Sequence, residues 1–150
     1  MQTRKLSSRK RIALVAHDNK KAELIEWAIY NKEVLKKHRL YGTGTTGTLL
    51  EAALDITVHK FLSGPLGGDQ QIGSNIAEGK IDVLIFFWDP MEAQPHDPDI
   101  KALLRLGVTW NIPFACDRST ADFLLTSPLM HMDYEAIIPD YTLYLKRLQK

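Results

Sequence analysis

The stretch Asp82-Val-Leu-Ile-Phe-Phe87 carries the strongest strand signal in the chain. From Val83 onward it is apolar without alternation, which is typical of a strand buried on both faces of a parallel sheet. Arg11-Ile-Ala-Leu-Val-Ala16 is a second continuous apolar run of strand length. Because strands of this kind need cover on both sides, we expect helices above and below one central sheet.

Shorter strands and helices alternate around these two runs. Further strands are predicted at 40–41, 56–62, 112–115 and 136–138. Helices are predicted at 20–38, 46–54, 69–78 and 99–110, from a Ser119 or Thr120 cap to 126, and from near 140 onward. This alternation, without repeats or linkers, predicts a single doubly wound α/β domain. We expect a mainly parallel five-stranded sheet flanked by helices, in a Rossmann-like three-layer arrangement.

Bulk composition limits the class of protein. The chain has 150 residues, of which 45% are hydrophobic and 25% charged, as expected for one globular domain. No apolar run approaches the roughly 18 residues that span a bilayer, and no signal-peptide pattern is present. The lone Cys116 excludes an internal disulfide. We therefore expect a cytoplasmic protein with no membrane partner.

Charge is unevenly distributed along the chain. The net charge is +1, yet residues 1–11 contain five bases and no acid, so the remainder is net acidic. We interpret residues 1–10 as a basic, solvated N-terminal tail and residues 11–150 as the α/β domain. Contact of the tail with nucleic acid or with a membrane is the less favoured interpretation. An acidic body must hold any anionic ligand with local donors.

Seven of the nine glycines fall in two short segments. These are Gly42-Thr-Gly-Thr-Thr-Gly47 and Ser63-Gly-Pro-Leu-Gly-Gly-Asp-Gln-Gln-Ile-Gly73. Both are predicted turns that lead into helices, whose first N–H groups can bind an anion. The second segment also contains Asp69, and a phosphate pocket normally avoids a negative charge. A carboxylate at this position suggests a base.

The first segment matches the dinucleotide fingerprint Gly42-x-Gly44-x-x-Gly47. It follows the second predicted strand rather than the first, and no acid lies about 20 residues further on. We therefore predict a phosphate cradle, with the hydroxyls of Thr43, Thr45 and Thr46 as extra donors. A nucleotide-binding module is a disfavoured alternative.

Polar residues directly follow the predicted strands. In a parallel sheet such residues share the edge where ligands bind. Lys21, one helical turn after His17 and Asp18, is placed to supply positive charge to a phosphate, although a solvated lysine is the alternative. The residues expected at this rim are His17-Asp18, Thr43 to Thr46, Ser63 to Asp69, Asp89 and Asp117.

The loop between Trp88 and Asp99 contains three prolines and a reactive pair, His96 and Asp99. A helix-capping role for Asp97 and Asp99 is the alternative. No group of His, Cys and Asp has metal-ligand spacing, and the serine-nucleophile and P-loop motifs are lacking. A phosphorylated substrate, a carboxylate base and a neutral histidine suit proton abstraction beside a carbonyl. The residues alone do not decide whether the phosphate ester stays intact or the phosphate is eliminated.

Several stretches resemble the methylglyoxal synthase family and together cover residues 12 to about 140. The two most specific are Gly67-Gly-Asp-Gln-Gln71 and Pro95-His-Asp-Pro-Asp99. Others are Ala13-Leu-Val-Ala-His-Asp18, Gly42-Thr-Gly-Thr-Thr-Gly47, the segment 79–90, Lys101-Ala-Leu-Leu-Arg105 and Asn111-Ile-Pro113. The resemblance implies conversion of dihydroxyacetone phosphate to methylglyoxal with loss of inorganic phosphate, without a cofactor or metal.

The same resemblance implies roles for individual residues. Asp69 is implied as the general base, His96 as the group that polarises the carbonyl, and Asp99 as their hydrogen-bonded support. His17 is implied to lie beside the substrate. The residues implied to hold the phosphate are Lys21, Thr43, Gly44, Thr45, Thr46, Ser63 and Gly64.

The family resemblance also implies a homohexamer that phosphate inhibits. An acid at Asp18 is implied to meet a C-terminal base of another subunit; Arg147 is the nearest arginine, offset by about one position. The fold is shared with the regulatory domain of carbamoyl phosphate synthetases. A non-catalytic sensor of phosphate ligands is therefore the alternative, although such a sensor has no use for Asp69.

Overall fold

The two continuous apolar runs lie side by side in the middle of a parallel sheet. The structure is a computed structural model that describes the backbone of residues 2–92 and 97–149, and the side chains of all of these except 97–99. Within them the strands are β1 (Gln2–Leu6), β2 (Arg11–Ala16), β3 (Arg39–Thr43), β4 (Val58–Phe61), β5 (Val83–Phe87), β6 (Phe114–Ala115) and β7 (Tyr134–Ile138). The helices are α1 (Lys21–Tyr30), α2 (Lys32–Leu35), α3 (Gly44–Leu54), α4 (Gly68–Ala77), α5 (Asp97–Thr109), α6 (Arg118–Thr126) and α7 (Thr142–Arg147).

The central sheet has five strands in the order β4-β3-β2-β5-β6, and every neighbouring pair is parallel. The predicted doubly wound α/β fold is therefore confirmed. From β2 the chain winds outward to β4, then returns to the other side of β2 with β5 and β6. A crevice for ligands opens where the winding reverses, beyond the carboxyl ends of β2 and β5.

Alternate residues of β2 and β5 point to opposite faces of the sheet, which gives two cores. Leu14 and Ile85 pack on one face against buried residues of α1, α3 and α6, among them Trp27 and Leu50. Ala13, Val15, Leu84 and Phe86 pack on the other face against buried residues of α4 and α5. Because helices cover both faces of the sheet, residues on both sides of these strands are buried. This explains why apolar and polar residues do not alternate in their sequences.

Several helix boundaries differ from the expected ones, and three of the differences have a local cause or affect the site. The single helix expected at 20–38 is interrupted at Asn31, whose side-chain amide donates to the Trp27 carbonyl and whose own carbonyl begins α2. Asparagine competes for backbone groups in this way, which favours helix ends. Helix α6 is capped by Asp117, which accepts from the Thr120 N–H at 2.8 Å, and α3 begins at Gly44, ahead of the expected start.

The interpretation of residues 1–10 as a solvated tail is wrong. Residues 2–6 form β1, which pairs antiparallel with β7 in a separate two-stranded sheet. Leu6 is buried, and the guanidinium of Arg4 bonds the buried carboxylate of Asp82. Arg4 thus meets a buried acceptor of the domain, while Lys5 and Arg9 stay exposed. The prediction took the basic charge of the whole segment as a sign of solvation.

Lys10 and two histidines join the N-terminal segment to the rest of the domain. The buried Lys10 ammonium donates to the carbonyls of Ser7 and Met132, and its backbone N–H donates to His38 Nδ1 at 2.9 Å. Because Nδ1 accepts, the proton of neutral His38 lies on Nε2, 3.2 Å from His131 Nδ1. Burial, with smaller effects of His131 and Lys10, lowers the pKa of His38 to about 4. A second proton on His38 would lie on Nδ1 and point at the backbone N–H of Lys10, so that two donors would face each other.

We predict that the free energy of unfolding falls as the pH drops from 6.5 to 4. Across this window unfolded His38 binds a proton that folded His38 does not, so the loss amounts to roughly 3 kcal/mol. His38→Asn keeps an acceptor for the Lys10 N–H and should make the free energy of unfolding less dependent on pH. Urea unfolding at several pH values measures this. The exposed His59, changed to Asn, is the control and should keep the wild-type slope. Equal slopes for His38→Asn and wild type would contradict the prediction.

Candidate active site

A pocket of about 130 Å³ opens at the carboxyl ends of the central strands. Its walls come from the segments that follow β2, β3, β4 and β5, as the position of the switch point leads one to expect. The lining residues are Val15, Ala16, His17, Asp18, Lys21, Thr43, Thr45, Thr46, Ser63, Gly64, Pro65, Asp69, Phe86 and Glu92. Asp117, also expected at this rim, caps α6 instead.

The first glycine segment forms the junction between β3 and α3. Thr43 is extended (φ −72°, ψ 151°) and precedes the first turn of α3, whose N–H groups have no partner within the helix. A Cβ at Gly42 would lie 3.0 Å from the Cα of Gly47, so the strand end and the helix start are in close contact. A Cβ at Gly44 would lie 3.1 Å from the backbone nitrogen of Ser63. The two glycine segments thus meet directly.

Thr46 carries an unused hydroxyl in the wall of this pocket. Its side chain is 1% exposed, and its Oγ1 has no hydrogen-bond partner among the described residues. A buried hydroxyl without a partner destabilises a protein unless something else supplies the missing bond. By contrast, the hydroxyl of Thr48, two residues later, donates to the carbonyl of Gly44. Thr46 is therefore equipped to donate to a bound ligand.

The second glycine segment places a carboxylate at the pocket. Ser63 precedes a single 3₁₀ turn, Gly64–Leu66, and Gly67 then takes a left-handed φ of 105°. A Cβ at Gly68 would lie 1.9 Å from the Leu62 carbonyl oxygen, so this position admits only glycine. The turn brings Asp69, in the first turn of α4, beside Gly64, where a Cβ would lie 3.5 Å from Oδ2.

Lys21 and Asp18 form an ion pair at the mouth of the pocket. Lys21 Nζ lies 2.6 Å from Asp18 Oδ1; the lysine side chain is 24% exposed and the carboxylate 87%. A pair as exposed as this adds little to stability. Its effect is to hold the ammonium near the pocket.

His17 links the ends of β2 and β5. Its backbone N–H donates to the Phe87 carbonyl, and its ring packs edge-on against Phe86 at 5.1 Å between centroids. The Asp89 N–H donates to His17 Nδ1 at 3.0 Å. Asp89 in turn accepts from the Met91 N–H and the Asn19 amide, and these two bonds lower the pKa of Asp89. Asp89 thus shapes the loop that orients His17.

Comparisons with known proteins identify the relatives of this chain. The model of the MGS-like domain family matches residues 23–116. The methylglyoxal synthase of Saccharophagus degradans is 57% identical over 149 residues, which cover 99% of this chain and 97% of that protein. The methylglyoxal synthase of Sodalis glossinidius is 59% identical over 95% of this chain and 94% of its own length. This chain belongs to the methylglyoxal synthase family.

A solved structure of the family has the same fold. The crystal structure of methylglyoxal synthase from Elizabethkingia anophelis NUHP1 superposes with a TM-score of 0.92 at 58% identity. The match covers 98% of this chain and 97% of that one. The fold expected from the family resemblance is therefore confirmed over nearly the whole chain.

Some expected site residues are not brought together by described contacts. His96 lies outside the described residues, as does the side chain of Asp99 in the first turn of α5. Arg147 is exposed on α7 and has no ion pair among the described residues. Sequence reasoning missed Glu92, which lines the pocket, because no motif marks it.

In the described part of the chain, no cluster of His, Cys, Asp and Glu could hold a metal, and no helix is long and apolar enough to cross a bilayer.

We predict that Thr46→Val weakens phosphate binding without lowering the free energy of unfolding. The change keeps the shape and removes the unpartnered hydroxyl, so the free energy of unfolding should stay level or rise by about 1 kcal/mol. Loss of one donor to a charged ligand should weaken inorganic phosphate binding about tenfold. Urea unfolding and titration calorimetry measure the two quantities.

The matched control for this prediction is Thr48→Val in the same helix. Thr48 is exposed and bonds its own helix, so its loss should leave phosphate affinity unchanged. An unchanged phosphate affinity in Thr46→Val would show that the Thr46 hydroxyl does not serve the ligand.

Proposed function

We propose that this protein converts dihydroxyacetone phosphate to methylglyoxal and inorganic phosphate, the activity after which its relatives are named. The observation that carries the proposal is the position of Asp69, a carboxylate that lies beside Gly64 in the wall of a pocket also lined by the start of α3 and by threonine and serine hydroxyls. The supporting findings are the family membership and the near full-length match to methylglyoxal synthases.

In this proposal the phosphate lies between the two glycine segments. The first turn of α3 and the 3₁₀ turn after Ser63 both present backbone N–H groups there, and helix starts favour anions. The ammonium of Lys21 supplies the positive charge. The remaining donors are the N–H or hydroxyl groups of Thr43, Gly44, Thr45, Thr46, Ser63 and Gly64.

The chemistry proceeds by proton removal and then elimination. Asp69 takes a proton from C3, and the electrons of that C–H bond form the C2–C3 double bond of an enediolate. The C3 hydroxyl then loses its proton, which ends on the released phosphate, and C3 becomes the aldehyde carbonyl. At the same time the C2–C3 double bond shifts to C1–C2 and expels the phosphate by breaking the C1–O bond. The enol that remains takes a proton at C1 and becomes methylglyoxal. We assign His96 to polarise the carbonyl oxygen and Asp99 to support these groups; no cofactor or metal enters a step.

A phosphate-ligand sensor of the same fold is the alternative function. Such a sensor would gain nothing from a carboxylate near the phosphate, because two anions repel each other and affinity falls. A base that accepts and returns a proton during each turnover gives Asp69 a use. The lyase is therefore the better reading of this pocket.

We predict that Asp69→Asn lowers kcat on the order of a thousand-fold, since general-base catalysis contributes this much. Phosphate affinity should be retained or rise, because the repelling charge is gone. Phosphate release, together with exchange of substrate deuterium followed by NMR, measures the chemistry.

Asp55→Asn is the control for this substitution. Asp55 ends α3 in a left-handed conformation (φ 52°) that asparagine also accepts, so activity should not change. Turnover of Asp69→Asn at the wild-type rate would refute the assignment of the base. A wild-type protein that binds phosphate but forms no methylglyoxal would favour the sensor.

We further propose a cytoplasmic homohexamer that inorganic phosphate inhibits. The lone Cys116 suits a reducing compartment. Leu143 and Leu145 on α7, and Leu148 just after it, are each more than half exposed, which supports cover by another copy of the chain. Asp18 is exposed at the pocket mouth, where Arg147 of another copy could pair with it.

Light scattering should therefore give a mass six times the 17.0 kDa of the chain. Arg147→Ala should reduce the cooperativity of phosphate inhibition, because the link between pockets is lost, while the activity without added phosphate stays near wild type. A monomer in solution, or unchanged inhibition curves, would contradict this part of the proposal.

A further inference from the structure

We infer that Glu92 is a positioning residue, which keeps His17 protonated so that the imidazolium faces the phosphate in the pocket. The inference rests on the proposed function, and Glu92 belongs to none of the motifs used above. Its Oε2 lies 2.9 Å from His17 Nδ1, with side-chain exposures of 30% for Glu92 and 13% for His17. Both residues line the pocket.

Two groups compete for one nitrogen of His17. The Asp89 N–H points at Nδ1 from 3.0 Å, and the Glu92 carboxylate approaches the same atom from 2.9 Å. A neutral Nδ1 that accepts from Asp89 has no proton for Glu92. Consistent with this, Glu92 Oε2 is buried and has no hydrogen-bond partner among the described residues, although it touches the ring. The neutral ring therefore satisfies Asp89 and leaves Glu92 unsatisfied.

A proton on Nδ1 reverses this preference. The ring then donates to Glu92 in a charge-assisted hydrogen bond, which is shorter and stronger than a neutral one. The Asp89 N–H that loses its acceptor lies in a partly buried loop, and its bond is the weaker of the two. Nε2 already carries the proton of the neutral ring, so it stays a donor, and the imidazolium adds a full positive charge beside it.

The charges around His17 favour the same state. Among the described residues the corner is acidic, because carboxylates outnumber ammonium groups. A phosphate dianion that enters such a corner is repelled unless another cation forms. Protonation of His17 supplies this cation beside Lys21. The charged groups are Asp18, Lys20 and Lys21 from the segment after β2, Asp69 from α4, and Asp89 and Glu92 from the loop after β5.

Glu92→Gln tests the inference, because the glutamine amide can donate to a neutral Nδ1 and so favours the opposite protonation state. Imidazole ¹⁵N NMR, assigned with His17→Asn, follows the titration of the His17 ring. In Glu92→Gln the midpoint should move to lower pH. At neutral pH the KM for dihydroxyacetone phosphate should rise by up to about tenfold for each pH unit of that shift. At acid pH the KM values should converge, and kcat should change less than KM.

Two further variants separate this role from a structural one. Glu92→Asp keeps the negative charge and should restore much of the wild-type profile of KM against pH. Glu78→Gln, at an exposed site paired with Lys80, should leave both the titration and KM unchanged. An unshifted His17 titration in Glu92→Gln, or a KM that falls because a repelling charge has gone, would overturn the inference.

The experiment also distinguishes failure of the inference from failure of the proposed function. The NMR titration needs no turnover, and it can be repeated with inorganic phosphate as the probe. If wild type forms no methylglyoxal, the proposed function fails. The inference still stands if phosphate raises the His17 midpoint in wild type more than in Glu92→Gln, and it falls if the two respond equally.

Discussion

The parallel pairing of β2 with β5 is the constraint on which the rest of the site depends. The register runs from Ile12 opposite Val83 to Ala16 opposite Phe87, and both strands end at the same level. The next residue, His17, then bonds the Phe87 carbonyl and receives the Asp89 N–H. Because the order of strands reverses at this pair, the segments beyond it diverge and leave a crevice. A shift of one residue in this pairing would move the side chains of one strand into the opposite core and displace the two walls of the pocket relative to each other.

Within the crevice, close backbone contacts and charged side chains both determine how an anion is held. The absence of side chains at Gly42, Gly44 and Gly68 lets two loops and two helix starts approach within contact distance. That approach concentrates N–H donors on one small volume, where Asp69 also lies. A carboxylate there weakens anion binding, and a role as the reacting base gives Asp69 a physical reason to lie there. Glu92 adds a further negative charge to the same region, and protonation of His17 offsets it.

Much of the fold follows from local sequence patterns. Continuous apolar runs located β2 and β5, and the glycine segments located the starts of α3 and α4. The approximate bounds of the other strands and helices followed from alternation and periodicity. The N-terminal strand was missed because its residues are mostly charged or polar and its partner, β7, lies near the other end of the chain. A two-stranded sheet with one largely exposed face carries a weak sequence signal.

By itself, the sequence determined the α/β class, the rim on which the polar residues gather, and the pairing of a phosphate cradle with a carboxylate. These properties depend on neighbouring residues, where residue type sets backbone conformation and burial directly. Only the tertiary structure decided that Lys10, His38 and His131 form a hydrogen-bonded chain, that Arg4 reaches Asp82, and that Glu92 meets His17. Most of these partners are separated by more than 70 residues. Whether such groups meet depends on the register and packing of elements that lie far apart in the chain.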